Sequence, residues 1–74
     1  MNEPILHPDY SLSLKAARVE KGYTQEALAE RLGITKRSYI KWENGEVLVK
    51  PYMVYAVAYV LKMEPDRIRV PVIS

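Results

Sequence analysis

The sequence predicts a small all-α domain, and three observations carry that prediction. Apolar residues between Gln25 and Trp42 recur at helical spacing, with Leu28, Leu32, Ile34, Tyr39 and Trp42 on one face. Two threonines, Thr24 and Thr35, stand where helix N-caps belong, each followed by a helix-length segment. Gly22, Gly33 and Asn44-Gly45 then close three consecutive segments, as a left-handed helix terminus requires.

Residues 1–10 hold two prolines and little periodicity, which predicts an N-terminal arm ahead of a single domain over 11–69. Ser11 or Ser13 caps a first helix reaching about Lys21, with Leu14 and Ala17 turned inward. The second helix begins at Thr24. Glu26 lies in its first turn, and Tyr23 and Leu28 form a hydrophobic staple. The third, 35–43, repeats the device with Thr35 as cap and Ile34 against Tyr39. Small Ala29 marks the closest approach of these two helices, and Gly33 the reversal between them.

A fourth helix is expected from Pro51, an allowed first position, to Lys62. It is apolar or tyrosine nearly all round, and a helix of that kind cannot leave every face in water. Val54, Val57, Ala58 and Leu61 should pack inward, leaving Tyr52, Tyr55 and Tyr59, with Met53 and Val60 beside them, to be covered. Glu64-Pro65-Asp66 opens a last short helix through about Ile68, which Pro71 limits. Residues 70–74 form an apolar tail whose Val70, Val72 and Ile73 are suited to an edge strand.

Composition narrows the function. The chain has no cysteine, so neither a disulfide framework nor a thiolate metal site is available. Its one histidine, His7, sits beside Pro8 with no second histidine to form a ligand pair, and reads as solvated. No metal or cofactor is expected, and no catalytic constellation is present, so the chain does not read as an enzyme. No signal peptide is visible, and the uncharged run from Pro51 to Leu61 falls short of the roughly 20 apolar residues a bilayer span needs. The net charge is only +2, but Arg31, Lys36, Arg37, Lys41 and Lys50 set against Glu43 and Glu46 make +3 within residues 31–50. That concentration is the footprint of a surface for phosphates.

The start of the third helix breaks a stability rule. Lys36 and Arg37 occupy N1 and N2, where the helix dipole is already positive, at a cost of about 0.3–1 kcal/mol each. An anionic partner turns that cost into binding. With Tyr39 and Trp42 facing inward, Arg37 points away from the core, flanked by Ile40 and Lys41, with Lys36 near the amino end. Lys36 and Arg37 suit the O6 and N7 acceptors of guanine. Ile40 either touches a thymine methyl or folds over the following loop. Two short helices at a tight turn with such an outer face form a helix-turn-helix, whose second helix enters the major groove.

The segment LKAARVEKGYTQEALAERLGITKRSYIKWENG, with VAYVL and EPDRI later, resembles the phage repressor and Cro type of DNA-binding domain. The resemblance runs from about Leu14 to Ile68. It implies a compact five-helix, lambda-repressor-like fold binding double-stranded operator DNA as a dimer, in the cytoplasm of a bacterium or encoded by a phage. By resemblance, Gln25, Ser38 and Asn44 contact phosphates, and Lys50 adds a backbone contact from the loop. Arg18 pairs with Glu43 and lies near the backbone. Lys36, Arg37 and Lys41 take the base-reading positions, with Ile40 among them. This chain differs from the usual pattern in three respects. Its reading positions are basic rather than amide-rich, its 43–51 loop is slightly long, and its fourth helix is rich in Tyr and Val. A sequence-specific transcriptional regulator, acting as a repressor, is therefore expected. The competing expectation is an antitoxin-like or anti-repressor interaction module on the same fold. Its warrant is the surface of Tyr52, Tyr55, Tyr59, Val70 and Val72, which either a second copy or another protein would cover.

Overall fold

The structure is a computed structural model and describes residues 11–70. A two-residue strand β1 (Leu12–Ser13) leads directly into helix α1 (Leu14–Glu20). Helices α2 (Gln25–Leu32), α3 (Lys36–Glu43) and α4 (Pro51–Leu61) follow, then a 3-10 turn (Pro65–Arg67) and strand β2 (Ile68–Arg69).

Three helix starts use the same chemistry. The side-chain oxygens of Ser13, Thr24 and Thr35 accept hydrogen bonds from the backbone N–H groups of Ala16, Ala27 and Ser38, each at 3.0 Å. Each bond satisfies one of the donors that a helix N-terminus leaves without an internal partner. At the α2 terminus Gly33 adopts φ 79°, and the Ile34 N–H returns to the Ala29 carbonyl at 3.0 Å. Only a residue lacking Cβ takes that conformation without cost, so the reversal between α2 and α3 is tied to Gly33.

The core is built from Leu14, Ala17, Leu28, Ala29, Tyr39, Trp42, Val49, Val57, Ala58, Leu61 and Ile68. Ala29 is fully buried, as its small side chain at the α2–α3 crossing requires. Tyr39 and Trp42 pack with ring centroids 5.9 Å apart at 54°, a tilted pairing typical of aromatic neighbours. Tyr23, Leu32, Ile34 and Val54 pack partly buried against this core.

Four expectations are corrected. The fifth helix is absent: the 3-10 turn holds the Arg67 N–H to Glu64 carbonyl bond at 2.9 Å and an Ile68 N–H to Pro65 carbonyl bond, and Ile68 then becomes extended. The fold is not purely α, because β1 and β2 pair in parallel, Leu12 opposite Ile68 and Ser13 opposite Arg69. The strand thus lies at 68–69, before the tail expected to supply it, and its partner lies in the approach to α1. Met53 and Val60 pack against the core rather than beside the outer tyrosines, because half-buried positions flank the inner stripe of α4 on both sides. Val70 also turns partly into the core instead of outward. The arm at 1–10, with His7, and the tail residues Val72 and Ile73 lie outside the described residues.

Candidate nucleic-acid interface

Helix α3 presents Lys36, Arg37, Ser38 and Lys41 to solvent, while Tyr39 and Trp42 are buried behind them. Its first turn carries no acidic residue. Lys36 and Arg37 therefore add their charges to the positive end of the helix dipole, where backbone N–H groups also point outward. Ile40 is half-buried beside them. Ser38 is exposed, and its hydroxyl accepts a hydrogen bond from Thr35 Oγ1 at 3.0 Å. Lys50 is exposed at the N-cap of α4, one loop beyond α3.

A polar network seats α3 on the other two helices. Arg18 Nε donates to Glu43 Oε2 at 2.7 Å, and Arg18 Nη1 donates to the Tyr23 carbonyl at 2.8 Å. The Tyr39 hydroxyl donates to the same Glu43 oxygen at 2.6 Å, and Gln25 Nε2 donates to Glu43 Oε1 at 3.1 Å. One carboxylate at the end of α3 thus ties together α1, α2 and α3. Arg18 is 8% exposed, so most of its guanidinium is occupied inside the protein. The amide of Gln25 is oriented by Glu43 at the first position of α2. A shallow groove beside the network is lined by Arg18, Tyr23, Thr24, Gln25, Glu26 and Lys36. It runs past the start of α2 to the Lys36 side chain at the start of α3, while the other end of α3, at Glu43, meets Gln25. Asn44 is exposed, and its Nδ2 donates to Glu46 Oε2 at 3.1 Å across the turn after α3.

Two features of this site escape the sequence patterns. Tyr39 is both a core aromatic and a hydrogen-bond donor; its i, i+4 spacing to Glu43 is the signal that would have revealed it. The loop after α3 exposes Leu48 at 65%, an exposure the loop sequence alone does not advertise.

Electrostatics follow from the network. Burial alone would push the Glu43 carboxyl up, but hydrogen bonds from Arg18, Tyr39 and Gln25 reverse that and hold it below its ordinary 4.5. Burial drives the Tyr39 phenol well above its ordinary 10.0, and the neighbouring carboxylate adds to the rise. The hydrogen bond to Glu43 raises Arg18 further still. A depressed carboxyl stabilises the fold above its unfolded value and loses that contribution as pH falls through the folded value; a raised phenol loses its contribution as pH rises past 10.0. Thermal melts are therefore expected to be flat between about pH 4.5 and 10 and to fall on both sides. An acid limb unchanged in an Arg18→Met/Glu43→Leu variant would assign that limb to other carboxylates.

The profile of the helix-turn-helix family matches residues 14–68, the span from α1 to the first residue of β2. The chain belongs to the helix-turn-helix family. Within it, a stretch of 33 residues is 48% identical to a Bacillus subtilis (strain 168) protein named SPbeta prophage-derived uncharacterized HTH-type transcriptional regulator YonR. The match covers 45% of this chain and 31% of that protein, so the helix-turn-helix chain spans less than a third of its relative's length. No solved structure matches the chain. Among the described residues no cluster of potential metal ligands occurs, and no helix is long and apolar enough to cross a membrane.

Proposed function

We propose that this helix-turn-helix protein is a sequence-specific transcriptional regulator of the phage repressor and Cro type, acting as a repressor. The observation that carries the proposal is the outer face of α3. Lys36, Arg37 and Lys41 are exposed on a helix whose inner face is locked by Tyr39, Trp42 and Glu43. A firmly seated helix carrying exposed cations at its N-terminal end is what major-groove reading needs. In this reading Lys36 and Arg37 donate to guanine acceptors, Lys41 and Ile40 contact neighbouring base edges, and the operator contains guanine. Gln25, Ser38, Asn44 and Lys50 hold phosphates around that helix, with Gln25 pre-oriented by Glu43. Arg18 acts by positioning α3 through its pair with Glu43, beside the groove.

Two copies would place their α3 helices in successive major grooves, with half-site centres ~34 Å, or ~10 base pairs, apart. The exposed Val47 and Leu48 of the loop before α4, with the exposed Tyr52 in its first turn, supply the apolar surface proposed to join them. Tyr55 and Tyr59, further along α4, favour a second reading in which the fold also engages another protein.

Selection of bound duplexes from a random DNA pool at fixed salt tests the proposal. Convergence on a guanine-containing, two-fold symmetric site is expected. A pool that stays random while still binding would reduce the chain to a nonspecific polyanion binder.

A further inference from the structure

At the C-terminal end of α4 lies an open cleft of about 740 Å³. It is formed where the end of α1, the last turns of α4 and the 3-10 turn meet. Lys21, Lys62 and Arg67 line it together with Tyr55, Tyr59 and a single acid, Glu64. Tyr55 is 62% exposed and Tyr59 is 81% exposed. The cleft contains no residue from α2 or α3, so the face built for DNA does not account for it.

The backbone at Lys62 is the unusual feature. Lys62 closes α4 with φ 56°, in the left-handed region. Among the described residues it is the one non-glycine position with positive φ; Gly22, Gly33 and Gly45 fill the others. The chain thus uses glycine at every other such turn and holds a lysine at the one that borders the cleft. The helix dipole favours a cation near a helix end, but a lysine one turn earlier would gain the same without a left-handed backbone. An outlier of this kind points to a role for the side chain it displays.

The geometry points to this cleft as a docking site for an acidic peptide segment of a partner protein, with an aromatic or large aliphatic side chain set between Tyr55 and Tyr59. Charge complementarity selects that occupant. The two exposed lysines, Lys21 and Lys62, outnumber the one carboxylate and attract an anionic chain, and the two rings offer it an apolar anchor point. Enclosed pockets bury most of a small ligand's surface. A cleft this open, with rings so exposed, suits an extended segment better. A second copy fits poorly, because a two-fold interface centred here would set the exposed Lys21 and Lys62 against the same two lysines.

The test uses the whole chain and a library of short random displayed peptides. Enriched sequences are expected to be net acidic with an aromatic or aliphatic anchor. Lys21→Glu/Lys62→Glu should weaken the enriched peptide by about tenfold, the size expected for reversing two exposed charge pairs, and leave affinity for selected DNA unchanged. Lys62→Gly provides a second arm. It should raise the melting temperature by relieving the left-handed lysine, yet lower peptide affinity. The proposal is overturned if no sequence family enriches, if enriched peptides are neutral or basic, or if Lys62→Gly retains full peptide binding. It is also overturned if charge reversal lowers DNA affinity, making the cleft a nucleic-acid surface, or shifts sedimentation, making it a contact between copies.

Discussion

Replacing Glu43 with glutamine is expected to cost about 3–5 kcal/mol of folding stability, the range found when one partner of a buried ion pair is removed. The side chains of Arg18 and Glu43 are 10% and 4% exposed, and the carboxylate accepts from Arg18, Tyr39 and Gln25 at once. Glutamine keeps the shape but leaves the Arg18 charge buried without a counter-ion. For a domain whose total stability is on the order of 5–15 kcal/mol, that loss approaches unfolding. Urea denaturation at neutral pH measures it, and a cost below about 1 kcal/mol would mean that α3 is held by apolar packing alone. The Arg18→Met/Glu43→Leu pair should recover most of the loss, because apolar replacement of a whole buried ion pair is often neutral. Recovery of stability without recovery of DNA binding would place the network's role in aiming α3 rather than in holding the chain folded.

The second large effect has opposite signs for binding and for stability. Lys36→Glu/Arg37→Glu should lower affinity for selected DNA by about 10²–10⁴-fold, since two contacts of ~1–3 kcal/mol each become repulsions. The same substitutions place carboxylates at N1 and N2 of α3, where the dipole favours them by ~0.3–1 kcal/mol each, so the melting temperature should rise. A variant that binds less but melts higher shows that these cations serve the partner and not the fold. Parallel losses in both measurements would mean that the substitutions damage α3 itself.

How much of this was legible in advance depends on the range of the interactions. The caps at Ser13, Thr24 and Thr35 and the turns at Gly22 and Gly33 are local: each is decided by residues within one helical turn, so local sequence specifies them. The β1–β2 pairing joins residues 56 positions apart over two residues each, too short for any alternating pattern to register. The missing fifth helix has the same origin. Glu64-Pro65-Asp66 reads as a helix start, but Ile68 is drawn into the core and pairs with Leu12, which requires extended backbone where a helix would continue. On the candidate interface, the spacing of Lys36, Arg37 and Lys41 against Tyr39 and Trp42 separates outer from inner residues of α3 by period alone. Of the three side chains that converge on Glu43, Tyr39 is a local i, i+4 neighbour, whereas Arg18 and Gln25 come from other helices and show only in three dimensions.

In the proposed function α3 reads base edges through its outward cations. The most direct test compares the full base-preference profile of Arg37→Ala with that of the parent chain at one fixed salt concentration. Loss of discrimination at one base pair of each half-site, with ~1–3 kcal/mol lost on the preferred duplex and the other positions unchanged, is the predicted result. An equal loss on every duplex would contradict it and would make Arg37 a phosphate contact.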